Sequence, residues 1–221
     1  MLQHVLFDLD GTLTDPALGI TNSIMYAMPR FGLTPPADRR ELYHFIGPPL
    51  RDNMMETFGL SLEDGERMLA AYREYFSVKG LFENELYEGI PQLLKTLCEH
   101  GIQVHLATSK PEKYARQIVE HFGLLPYFTF VGAADMEGVM HTKRDVIAHV
   151  LANVPDITPE NTAMVGDRDV DITGAHAFGL RAVGCAYGYA APGELEAQNP
   201  DHIVDTVAQL QELLISLADL T

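Results

Sequence analysis

Asp8 and Asp10 stand two residues apart at the end of the apolar run His4-Val5-Leu6-Phe7, and Gly11 and Thr12 follow at once. A second acidic cluster, Gly166-Asp167-Arg168-Asp169-Val170-Asp171, closes another apolar run about 155 residues later. Carboxylates gathered from two such runs repel one another unless a cation lies between them, and an all-oxygen donor set suits Mg²⁺ rather than zinc. Between them in the chain, Leu106-Ala107-Thr108-Ser109-Lys110-Pro111 ends a third run in hydroxyls, just ahead of a helix-like stretch whose free N–H groups favour an anion. Thr108, with Ser109 beside it, is therefore placed to bind phosphate oxygens. Lys143, in His141-Thr142-Lys143-Arg144-Asp145, adds a positive charge. A carboxylate that attacks phosphorus needs neighbours of this kind, because otherwise two anions must approach each other.

These residues act together only if the elements carrying them converge. Apolar runs recur at 102–107, 128–132, 162–166 and 181–185, separated by helix-like stretches, and this alternation is that of a parallel sheet with crossover helices. In such a sheet the C-terminal strand ends share one edge, where ligands bind. Ile90, Leu93, Leu94, Leu97 and Cys98 fall at helical spacing, with Pro91 near the start and Gly101 past the end. Tyr114, Ile118 and Phe122 form a second stripe, and 206–217 reads as a closing amphipathic helix; both stripes read as core-facing. From Asp15 to about Leu86 helix-like segments follow one another with no convincing strand. The expected architecture is α/β: a Rossmann-like parallel-sheet core domain of residues 1–14 and 87–221, with a small α-helical cap domain of residues 15–86 inserted after the first strand. Leaving the sheet beside Asp8 and Asp10, that insertion is expected to act as a lid that excludes water and selects substrate.

Composition narrows the partners. With 31 acidic against 15 basic residues the formal net charge is −16, which repels nucleic-acid phosphates and anionic membranes. A small anion is still admissible where a metal ion and a few cations outweigh the mean field. Cys98 and Cys185 lie in apolar segments without a CxxC spacing and read as small buried hydrophobes, in keeping with a reducing, cytoplasmic setting. The N-terminal residues do not have the pattern of a signal or transit peptide, and no run reaches the roughly 18 apolar residues of a membrane span. The nine histidines form no spaced ligand set.

Asp8-Leu9-Asp10-Gly11-Thr12, Thr108, Lys143 and Gly166-Asp167 to Asp171 resemble, in order and spacing, the four motifs of the haloacid dehalogenase-like (HAD) hydrolase superfamily. The helical insertion and the segment Phe45-Ile46-Gly47-Pro48-Pro49-Leu50-Arg51 are similar to the phosphoglycolate phosphatase group within it, so the resemblance covers nearly the whole chain. It implies a Mg²⁺-dependent phosphatase in which Asp8 is the nucleophile that becomes an aspartyl phosphate. Asp10 would be the general acid to the leaving oxygen and then the general base for water. Thr108, Ser109 and Lys143 would hold the phosphoryl group. Asp8, the Asp10 carbonyl and Asp167 would ligate the metal, with Asp171 as an outer or water-mediated partner. The third motif lacks the following proline common in the family, which leaves Arg144 as an alternative register. Arg51, beside a rigid Gly-Pro-Pro turn, is a candidate contact to a substrate anion, and an ordinary solvated arginine is the competing reading.

A small phosphorylated metabolite is the expected partner, phosphoglycolate first by resemblance, with nucleoside monophosphates, pyrophosphate and sugar phosphates also within reach of this architecture; the chain would act as a monomer or homodimer. A phosphosugar mutase on the same scaffold carries a cap histidine ten residues after the second aspartate, and that place is Ile20 here. A phospho-accepting signalling domain also uses strand-end aspartates, a hydroxyl and a lysine, but it lacks both the long insertion and the second acid. A pure binding protein would be missing a catalytic residue, and none is missing here.

Overall fold

The computed structural model describes residues 1–136 and 139–219. Strand β1 (His4–Phe7) opens the chain, and β2 (Thr14–Asp15) leads into the helices α1 (Ala17–Ala27), α2 (Leu50–Phe58) and α3 (Leu62–Tyr75) before β3 (Glu85–Leu86). Then follow α4 (Ile90–Glu99), β4 (Gln103–Pro111), α5 (Glu112–His121), β5 (Phe128–Ala134), α6 (Lys143–Asn153), β6 (Thr162–Gly166), α7 (Asp169–His176), β7 (Arg181–Cys185), β8 (His202–Val204) and α8 (Val207–Asp219). The chain divides into two compact units, Met1–Thr14 with Leu86–Thr221, and Asp15–Glu85. Leu86, which the sequence assigns to the insertion, belongs to the first of these.

The first unit is a six-stranded sheet in the order β5-β4-β1-β6-β7-β8, with every pairing parallel. Strands covered on both faces carry continuous rather than alternating apolar sequence, and all residues of β1 and β6 are buried. Leu6, Ala107, Met164 and Ala182 pack with Val146, Ile147 and Val150 of α6 and Ile172 and Ala175 of α7 in one core. Two histidines stand among the apolar residues of β1 and β4. His4 and His105 are fully buried, stack at 5.4 Å between ring centroids, and place Nδ1 of the first 3.2 Å from Nε2 of the second. His4 is also hydrogen-bonded to the Asp156 backbone.

Strands β2, β3 and β8 have no counterpart in the sequence reading, since two or three residues are too short to show a period. Cys98 is a correction: Ile90, Leu93, Leu94 and Leu97 are buried on α4, but Cys98 falls on the exposed side of that helix, while Cys185 is buried and both thiols are free. No described helix is long and apolar enough to cross a membrane.

The second unit is helical, with Ile24, Met54, Met68 and Tyr72 buried from its three helices. Ser61 caps α3 by accepting from Asp64 N at 3.1 Å, and Gly19 of α1 lies so close to the backbone at Gly80 that a side chain would not fit.

Candidate active site

Asp8 and Asp10 occupy the turn that leaves β1. The amide of Asp8 still donates to Val165 O at 2.9 Å, which extends the β1–β6 ladder one residue past the strand. Beyond it the chain folds back: Leu13 N and Thr14 N donate to Leu9 O, and Gly11 N donates to Thr14 O. Gly11 adopts φ +82°, and a side chain there would run into the Asp167 carboxylate, so two independent constraints require glycine. Gly188, after β7, approaches Asp167 equally closely from another direction.

The sheet delivers the remaining residues to the same edge. Asp167 follows β6 directly, Asp171 lies in the first turn of α7, and carboxylate oxygens of Asp8, Asp167 and Asp171 lie within 4.8 Å of one another, all three residues buried. Lys143, the first residue of α6, reaches in and places Nζ 2.8 Å from Asp8 Oδ1, 2.8 Å from Asp171 Oδ1 and 2.9 Å from Ala107 O. A capping box of Thr142 and Asp145 fixes the start of this helix. Arg144, the other register for that motif, instead lies over the Phe178 ring. Thr108, within β4, is 2% exposed, and its Oγ1 accepts from Lys110 N at 3.2 Å; Ser109 beside it is half-buried. Arg51, in the helical unit, pairs with Asp52 at 2.8 Å and Glu66 at 2.9 Å.

The electrostatics follow from crowding like charges away from water. Burial, and then Asp171 and Asp8, raise Asp167 well above the carboxylate range. Burial likewise raises Asp171 to about 6, with Lys143 opposing and Asp8 reinforcing. Burial pulls Lys143 down, but Asp171 and Asp8 outweigh it and hold the ammonium above its ordinary value. Four carboxylates, Asp8, Asp10, Asp167 and Asp171, face two ammonium groups, Lys143 and Lys110, which leaves a formal charge of −2. A buried, all-oxygen pocket with that deficit fits a hard divalent cation such as Mg²⁺. Asp8, Asp167 and Asp171 present carboxylates to it; Asp10, expected there through its carbonyl, turns its carboxylate elsewhere.

That other direction is a feature the sequence reading missed. Lys110 Nζ lies 2.6 Å from Asp10 Oδ2, with the two side chains only 7% and 11% exposed. Burial raises Asp10 and Lys110 opposes the shift. Lys110 was legible as part of the Thr108 run, but its partner was not, because the pair joins residues far apart in the chain that only the fold brings together. The segment after β7 was missed altogether. Tyr189 N donates to Asp167 Oδ2 at 2.7 Å and Thr12 Oγ1 donates to Asp167 Oδ1 at 3.2 Å, so both oxygens of that carboxylate are oriented. Tyr187 OH donates to Thr12 O at 2.9 Å. Glu194 accepts from Arg168 Nε at 2.7 Å and from Asp169 N at 3.1 Å, fixing the start of α7. A backbone amide leaves no mark in a sequence, and these tyrosines look like any others.

The chain matches the family model for haloacid dehalogenase-like hydrolases over residues 5–185. A 5'-nucleotidase of Pseudomonas aeruginosa is 39% identical to it over 213 residues, which cover 96% of each chain. The tyrosine-protein kinase PtkA of Mycobacterium tuberculosis is 37% identical over 214 residues, 96% of this chain and 72% of that one. Among solved structures, a predicted phosphatase from Clostridium acetobutylicum is similar with a TM-score of 0.94 and 38% identity, covering 98% of this chain and 99% of the other.

Proposed function

The chain belongs to the haloacid dehalogenase-like hydrolases and is one of their phosphatases; from that premise we propose that it is a Mg²⁺-dependent hydrolase of a small phosphate monoester, acting through an aspartyl phosphate on Asp8. The observation that carries the reading is the Asp8 carboxylate held 2.8 Å from Lys143 Nζ inside the buried three-carboxylate cluster.

Asp8, Asp167 and Asp171 would hold the metal with the Asp10 carbonyl. Bound there, the cation supplies positive charge that offsets the phosphate's own. Asp8 Oδ1 accepts from Leu9 N at 2.7 Å as well as from Lys143, so the side chain is oriented before any substrate arrives. Lys143, Thr108 and Ser109 bind the phosphoryl oxygens, and Lys143 offsets charge on them as the group passes to Asp8. Asp10 gives a proton to the leaving oxygen and later takes one from water.

For the substrate we favour a nucleoside 5'-monophosphate, supported by the 5'-nucleotidase relative, over the phosphoglycolate that the insertion's resemblance suggests. The kinase relative makes the acceptor worth testing as well, because the same phosphoryl group could pass to a hydroxyl instead of water. Phosphate release should be measured on nucleoside monophosphates, phosphoglycolate, sugar phosphates and pyrophosphate, with and without Mg²⁺. Preference for a nucleoside monophosphate supports the reading; preference for phosphoglycolate replaces the substrate, and release from none of them removes the hydrolase proposal.

A further inference from the structure

Asp10 has two carboxylate oxygens in different surroundings. Oδ2 lies 2.6 Å from Lys110 Nζ, whereas Oδ1 is buried with no hydrogen-bond partner among the described residues. A buried acceptor left bare costs free energy of roughly 1–3 kcal/mol, so its persistence points to a partner that arrives with the substrate. We propose that Lys110 is a positioning residue: by holding Oδ2 it fixes the Asp10 side chain so that Oδ1 is the atom that handles the proton. This rests on the hydrolase reading above and assigns to one oxygen what that reading gives to the whole carboxyl.

The steps balance on that atom. As an Asp8 oxygen bonds to phosphorus and the ester P–O bond breaks, the proton on Asp10 Oδ1 passes to the leaving oxygen. As a water oxygen then bonds to phosphorus and the Asp8–phosphorus link breaks, a proton from that water returns to Oδ1. Lys110 keeps its proton throughout. Lys110 lies where β4 shifts register between Thr108 and Pro111 and runs on against β5 as far as Ala134. Lys110 sits two residues past the phosphate-binding Thr108 and within reach of Asp10.

The test pairs kinetics with a structure. Lys110→Met should lower kcat by about 10- to 100-fold, up to the lower end of the roughly 10²- to 10⁴-fold that acid–base catalysis contributes, while KM stays within about threefold. In the Asp10→Asn background the same change should lower kcat by less than about threefold, because residues that act as one unit are not additive. A crystal structure of Lys110→Met should show the Asp10 carboxylate rotated from its present position. Lys110→Gln, of similar length and able to donate to Oδ2, should recover part of kcat and guards against a variant that simply fails to fold. A loss confined to KM would make Lys110 a substrate anchor and overturn the proposal. So would an equal kcat loss with and without Asp10, or an unmoved Asp10 in the variant structure. If the wild type released phosphate from no ester, the hydrolase reading would fail instead, and the crystal structure would still decide whether Lys110 positions Asp10.

Discussion

At the scale of single residues the site depends on charges that have been brought together and on the small residues that let them meet. Asp8→Asn keeps the size of the side chain but replaces the proposed nucleophile with an amide, so phosphate release should fall at least about 10³-fold with the melting temperature little changed. An intact rate in that variant would rule out an aspartyl phosphate at this position. Gly11→Ala is the more revealing change, because it touches no reacting atom. It adds a Cβ that meets the Asp167 carboxylate and imposes a left-handed conformation on an L-residue. Apparent Mg²⁺ affinity, read from a metal titration of activity or of thermal stability, should drop by about 10- to 100-fold, as when residues that orient a metal ligand are lost. An unchanged Mg²⁺ titration would mean that the Asp167 carboxylate is not held for a metal.

At the scale of elements, the pairing of β1 with β4 carries a pH dependence of its own. Burial, and then the neighbouring His4, push His105 down to about 4, and His4 is lowered too, by burial first. The folded state therefore resists a proton that the unfolded chain accepts near its ordinary value of 6.5. Stability from this pair should be complete above that value and decline as the pH falls toward 4, by a total on the order of 3 kcal/mol for His105. Urea midpoints recorded from pH 7 to pH 4 test this: His105→Leu should lose stability less steeply than the wild type, and parallel curves would show that the pair does not matter. These elements also mark the limits of sequence reading. The long buried strands and the amphipathic helices were legible because burial on both faces, or on one stripe, leaves a run or a period. The facing of His4 onto His105 was not, since it depends on parallel register between residues 101 apart in the chain. Cys98 shows the same limit within one helix: it neighbours the apolar stripe in sequence but sits one step round the helix, outside it.

For the whole molecule, the metal is the test that joins site and stability. A cation that binds the folded cluster and not the unfolded chain should raise the melting temperature, and increasingly so with concentration. Mg²⁺ should therefore stabilise the protein, chelation should abolish phosphate release, and added Mg²⁺ should restore it. Stabilisation that persists in Asp8→Asn/Asp167→Asn would place the cation elsewhere on this acidic protein. The candidate site was largely legible, because Asp8, Asp167, Asp171, Lys143 and Thr108 announce themselves by type and spacing and the sheet brings them to one edge. What escaped was the pairing of Lys110 with Asp10 and the chain after β7, where Tyr187, the Tyr189 amide and Glu194 hold the acidic loops in place. The hydrogen bond from the Asp8 amide to Val165 O has a consequence for how such an enzyme can fail. With its backbone locked into the central ladder, Asp8 cannot wander while the sheet stays whole. Its amide should exchange with deuterium as slowly as those of the innermost strands. Heat should then inactivate the enzyme at the temperature where the sheet itself melts, leaving no window in which Asp8 has left its place in a folded protein.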